Sequence, residues 1–124
     1  MAIQTWLVVY GINETEFVSI KPMLVDIIAG ITNSSESTID VQYTPYFFNI
    51  EVTVRPADKS HSKYVVSKIE DGISFLREIN SGIQNHTNGS NLTVSEVNPP
   101  MAIQGLRIYV EISLKCYSRF ITEY

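Results

Sequence analysis

Residues that carry chemistry are scarce in this 124-residue chain. A single cysteine, Cys116, excludes an internal disulfide and suits a reducing compartment. The only two histidines, His61 and His86, stand apart in polar stretches without ligand-type neighbours at metal-binding spacing, so both read as surface residues. No P-loop, G-x-G-x-x-G or G-x-S-x-G occurs, and no cofactor is expected. No run of like charge occurs either. Nine basic against 13 acidic residues give a net charge of -4, which argues against a nucleic-acid partner or an acidic membrane surface. The apolar opening, Trp6 to Tyr10, is too short to span a bilayer and lacks the basic flank and cleavage site of a signal peptide. On that ground the N-x-S/T sequons at Asn13, Asn33, Asn85, Asn88 and Asn91 read as by-products of polar loops.

Catalytic pairs are missing as well. Asp26 has no evident acidic or basic partner, and Glu70 and Asp71, adjacent on a helix, point in diverging directions. Cys116 falls on the apolar side of an alternating segment, where a thiol is inert. No enzymatic role is expected.

What the chain does have is pattern. Its length fits one domain, residues 1–124, with one hydrophobic core. TWLVVYGI, residues 5–12, is apolar on both faces and predicts a central strand. Phe17, Ile20, Leu24, Ile27 or Ile28 and Ile31 recur at helical spacing, with Asn13 or Thr15 as cap and Gly30 as exit; Pro22 either starts the main helix or kinks a longer one. In STIDVQYTPYFFNIEVTVRP the inward parity changes at Thr44-Pro45, from Ile39, Val41 and Tyr43 to Tyr46, Phe48, Ile50, Val52 and Val54. Uninterrupted pleating cannot change faces, so this predicts a hairpin or a bulged bend. A helix capped by Ser60 or Ser62 follows, its stripe running Val65 or Val66, Ile69, Ile73, Leu76, Ile79 and Ile83 to a stop at Ser81-Gly82. Gly72 inside it predicts close approach to another backbone. LTVSEV reads as a short strand, and GLRIYVEISLKCYSRF alternates without a miss, predicting a long two-sided strand.

MAIQ occurs twice, at residues 1–4 and 101–104. A strand and a helix follow the first copy, while only strand-like sequence follows the second, so the match reads as two strand starts and not as a duplicated unit. The order β-α-β-β-α-β(-β) makes an α+β domain: an antiparallel-rich mixed sheet of four to five strands with two helices on one face, simplest as a ferredoxin-like packing.

Aromatic residues mark the candidate surface. Phe47, Tyr109 and Tyr117 fall by parity on the polar side of their strands, the side away from the helices. Exposed rings among mixed charges suit a protein contact, and ordinary cross-strand pairing suits them as well.

Two segments resemble a known family. NIEVTVRPADKSHSKYVVSKIEDGI is similar to the strand-Arg-turn-helix core of phage tail-terminator and tail-completion proteins. LTVSEVNPPM and then GLRIYVEISLKCYSRF resemble their closing pair of strands. The resemblance spans residues 48–120; the apolar leading strand departs from the helix with which such proteins commonly begin. It implies a tail-terminator-like fold and a virion protein, made in the host cytoplasm. Such a protein forms a homo-oligomeric ring, typically hexameric, that caps the tail tube, joins it to the head and meets other tail or neck proteins. Arg55 and Arg107 match the family's recurring arginines and, with Phe47, Tyr109 and Tyr117, make up the expected interface. From the residues alone, the alternative is a ferredoxin-like domain that binds a small ligand or regulates a partner protein.

Overall fold

A computed structural model describes residues 2–44, 48–87 and 92–103. The elements are β1 (Ala2–Val9), α1 (Glu14–Thr32), β2 (Ile39–Thr44), β3 (Asn49–Val54), α2 (Lys59–Glu70), α3 (Gly72–Thr87), β4 (Val94–Val97) and β5 (Met101–Ile103). The sheet order is β2-β3-β1-β4, with β5 also on β1, and every pairing is antiparallel. This is the split-βαβ, ferredoxin-like order, with β1 in the middle.

Alternation builds the core. Ile3, Leu7 and Val9 of β1, Ile50, Val52 and Val54 of β3, and Ile39 and Val41 of β2 turn one way and are buried against the helices. Leu24, Ile27 and Ile28 of α1, Val65 and Ile69 of α2, and Phe75, Ile79 and Ile83 of α3 close the layer from above. The opposite face carries Asp40 and Gln42 of β2, Glu51 and Thr53 of β3, and Gln4 and Trp6 of β1. There Gln4 Nε2 donates to Glu51 Oε1 (2.9 Å) and Thr53 Oγ1 (3.1 Å).

Asn13 caps α1 by accepting from Glu16 N (2.9 Å), as its position predicts. Pro22 lies inside this helix, which continues through Gly30 and ends with Asn33 in the left-handed conformation (φ 52°). The parity change at Thr44-Pro45 is a hairpin: β2 and β3 pair from Ile39↔Val54 to Thr44↔Asn49. Phe48 closes the turn at φ 53°, a costly angle for a bulky side chain. Its 50 % exposed ring therefore does not join the inward set with Ile50 and Val52.

The second helix departs most from its expectation. Asp58, not a serine, is the cap, accepting from His61 N (2.8 Å). Asp71 (φ −79°, ψ 69°) then breaks the helix in two. The break resets the stripe, so Phe75 is buried while Ile73 is 69 % exposed. Gly72 opens α3 with nothing within 4 Å of where a Cβ would stand. The close approach comes instead at Gly82, inside α3, where a Cβ would lie 2.9 Å from Ile27 Cγ1 and Cγ2. α1 and α3 touch there, and α3 runs on past Ser81 to Thr87.

Residues 2–4 and 101–103, both within the repeated MAIQ, meet: Ala2↔Ile103, Ile3↔Ala102 and Gln4↔Met101 are partners. β4 continues the same edge at Leu7↔Val97. Asn98, Pro99 and Pro100 thus stand opposite only Thr5 and Trp6, one residue more than the ladder needs. Asn98 N donates to Trp6 O (2.9 Å), and the buried Thr5 hydroxyl donates to Asn98 O (2.6 Å). Those two bonds hold the bulge on β1.

Candidate functional site

The best-defined hollow lies where the end of α1, the turn before β2, the end of β3 and the start of α2 converge. It encloses about 550 Å³ and is lined by Asn33, Ser34, Ser35, Thr38, Arg55, Asp58, Ser60, His61 and Tyr64, among others. Its wall is a chain of local hydrogen bonds. Thr32 Oγ1 bonds back to Ile28 O (2.7 Å), one turn earlier in the helix, and lies 2.9 Å from Ser34 Oγ. His61 ties the wall together. Its Nδ1 accepts from Ala57 N (3.0 Å), which puts the proton on Nε2, and Nε2 donates to Thr32 O (2.9 Å). One ring thereby fastens the start of α2 to the end of α1.

This hollow presents hydroxyls, one guanidinium and a helix N-terminus. Arg55 is exposed, is anchored through its backbone N to Thr38 O (2.9 Å), and has no side-chain partner among the described residues. The helix N-terminus is already answered by the Asp58 carboxylate. The site suits neutral polar groups with one anionic point at Arg55.

A second, shallower groove of about 710 Å³ separates α1 from α3 and is lined by Asp26, Ile27, Gly30, Arg77, Glu78, Gly82 and His86, among others. His86 Nε2 lies 3.0 Å from Asp26 Oδ2 across it, with both side chains about half exposed. Exposed pairs of this kind contribute about 0–1 kcal/mol. Asp26 and His86, expected to stand alone, are therefore partners.

On the helix-free sheet face, Glu51 is half-buried beside Gln4, and burial raises its pKa above the ordinary carboxylate value. The negative charge of Asp40 adds to the rise. At one end of the sheet Tyr10, 61 % exposed, and Phe48 pack ring to ring at 5.3 Å. Behind them Phe17 stacks on Tyr43 at 5.5 Å, and the Tyr43 hydroxyl donates to Ile12 O (2.9 Å).

Of the five residues expected at an interface, Arg55 is placed on the rim of the first hollow. Phe47, Arg107, Tyr109 and Tyr117 lie outside the described residues, as do Cys116 and the long alternating segment that carries Arg107, Tyr109 and Tyr117. Sequence reasoning missed the His61 bridge and the Tyr10–Phe48 pair. The His61 bridge had a partial signal, since Asp58 stands three residues ahead of it in the position of a cap. The aromatic pair had none, because it depends on Phe48 adopting a positive φ.

Among the described residues, no three His, Cys, Asp or Glu side chains converge as metal ligands, and no helix is long and apolar enough to cross a membrane. No protein-family model, curated protein or solved structure matches the chain.

Proposed function

We propose that this chain is a structural assembly protein of a phage or phage-like tail: a terminator or completion subunit that associates with copies of itself in a ring and joins the tail tube to the head. The observation that supports it most is the one-sided layer. The helices bury one face of the sheet, while the face bearing Asp40, Gln42, Glu51 and Trp6 has no helix over it among the described residues. A sheet packed on one side leaves a broad surface for a neighbouring subunit. The resemblance in pattern of residues 48–120 points the reading to this family, with a non-enzymatic role exercised in the virion after assembly in the host cytoplasm.

Size-exclusion chromatography with light scattering, followed by negative-stain microscopy, tests the reading. Rings, or a concentration-dependent hexamer, support it; a monomer at the highest workable concentration overturns it. Alanine at Tyr109 and Tyr117 together should weaken assembly with little change in melting temperature.

A second reading, a ferredoxin-like domain that binds a small ligand or regulates a partner, draws on the Arg55 hollow. It predicts a stable monomer whose melting temperature rises with a small organic anion, and Arg55→Ala should abolish that rise.

A further inference from the structure

The outer edge of β2 can be read residue by residue. Arg55 N donates to Thr38 O (2.9 Å), which fixes the phase of the β2–β3 ladder. Asp40, Gln42 and Thr44 therefore spend their backbone groups on β3, and those of Val41 and Tyr43, with the Ile39 carbonyl, point away from the sheet, while Ile39 N already donates to Glu36 O. No strand lies on that side among the described residues. Edges of this kind are usually blunted by proline, a bulge or a lysine on the strand, because open N–H and C=O groups recruit another strand. IDVQYT has none of these. Lys21 of α1 reaches toward the edge, but its Nζ is 3.9 Å from Asp40 Oδ1 and both side chains are substantially exposed, so it is loosely held.

We propose that β2 pairs antiparallel with β2 of a second copy of this chain, with Val41 opposite Val41 on a two-fold axis. In that register Ile39 faces Tyr43 of the second copy, and Val41 faces its own counterpart. Val41 and its counterpart exchange both their N–H and C=O groups, and Tyr43 N donates to Ile39 O of the second copy, whose own N–H stays on Glu36 O. On the other face Asp40 meets Gln42 of the second copy, an acceptor against a donor. Within one subunit, Gln42 Nε2 already donates to Asp40 Oδ2 (3.0 Å), so the two groups are suited to each other. Sliding by two residues sets Asp40 against Asp40, which repels. Sliding the other way drops Ile39 from the ladder. The strand is thus complementary to itself in one register. Such a contact is isologous and closes at two copies, giving one sheet continuous through both subunits. It does not depend on the tail-assembly reading, because a ring needs a different, head-to-tail contact.

Sedimentation velocity over a dilution series of the full chain tests this, together with three variants. Wild type should reach a dimer at high concentration. Gln42→Asp sets like charges opposite each other twice and should weaken the dimer about tenfold. Adding Asp40→Lys to Gln42→Asp should restore it, and Gln42→Lys should bind at least as well as wild type. Hydrogen exchange of the unmodified chain provides a reading that needs no variant: the amides of Val41 and Tyr43 should gain protection as concentration rises. A monomer at all concentrations, or a dimer indifferent to Gln42→Asp with those amides unprotected, overturns the proposal. Rings in which the Val41 and Tyr43 amides stay unprotected would likewise remove this contact while leaving the tail reading standing.

Discussion

The two edges of the sheet solve the same problem in different ways. On one side, β4 and β5 run along β1 as a single edge interrupted by Pro99-Pro100, with a bulge opposite Thr5 and Trp6. On the other, β2 follows β3 for six unbroken pairs without a proline. Proline has no N–H to offer a newcomer, and a bulge twists the strand away, so the β4–β5 side is closed to further pairing at its midpoint. The β2 side stays regular. The difference shows that edge protection is a local property of sequence: two residues decide it, within one sheet.

The strand between the edges gives the largest expected effect. Leu7 is fully buried and pairs with Ile50 on one side and Val97 on the other. Leu7→Ala should cost about 2–5 kcal/mol in urea unfolding, and both edges should lose hydrogen-exchange protection together. If one edge alone loosens, the sheet is less cooperative than its pairing implies.

Thr5→Val is the sharper cut. It leaves the volume nearly unchanged but strips Asn98 O of the hydroxyl that holds the bulge. A loss of about 1 kcal/mol is expected, with faster exchange confined to residues 94–103 and none in the β2–β3 ladder. Equal loosening on both sides would mean that the bulge is not held locally.

The smallest effect belongs to the β2 side. Glu51 has a folded-state pKa raised by burial first and by Asp40 second. Its protonated form is thus favoured by folding, and the associated stability is present below the ordinary glutamate value and lost as pH rises through the raised one. Glu51→Gln should therefore unfold at slightly higher urea than wild type at neutral pH. The gap should close as pH falls below the ordinary glutamate range. A gap that stays constant with pH would assign the effect to packing instead of charge.

Much of this architecture could be read in advance because alternation and helical spacing are direct consequences of one-sided burial. Ile39, Val41, Ile50, Val52 and Val54 declare their face by parity, and Phe17, Leu24 and Ile28 by helical spacing. The Asp71 break escaped notice because its signal is a backbone angle, and the apolar residues on either side, Ile69 and Ile73, happen to continue the old stripe. Gly82 was misread as a stop for a related reason. A glycine that admits a neighbouring helix and one that ends a helix look alike until Ile27 is seen against it. The hollow around Arg55 was barely legible. It is made of loop hydroxyls from Ser34 and Ser35 and the Ser60 hydroxyl in the first turn of α2, and their convergence depends on His61 joining two helices that are far apart along the chain.

The central position of β1 has a consequence for biosynthesis. This apolar strand leaves the ribosome before either of its flanking partners, β3 and the β4–β5 edge, has been translated. Long-range pairing of this kind is slow, and an unpaired oily segment is prone to misassociate while it waits. Ile3, Leu7 and Val9 are therefore the residues a nascent-chain chaperone would engage first, and release would follow only once the segment around Pro99-Pro100 has emerged.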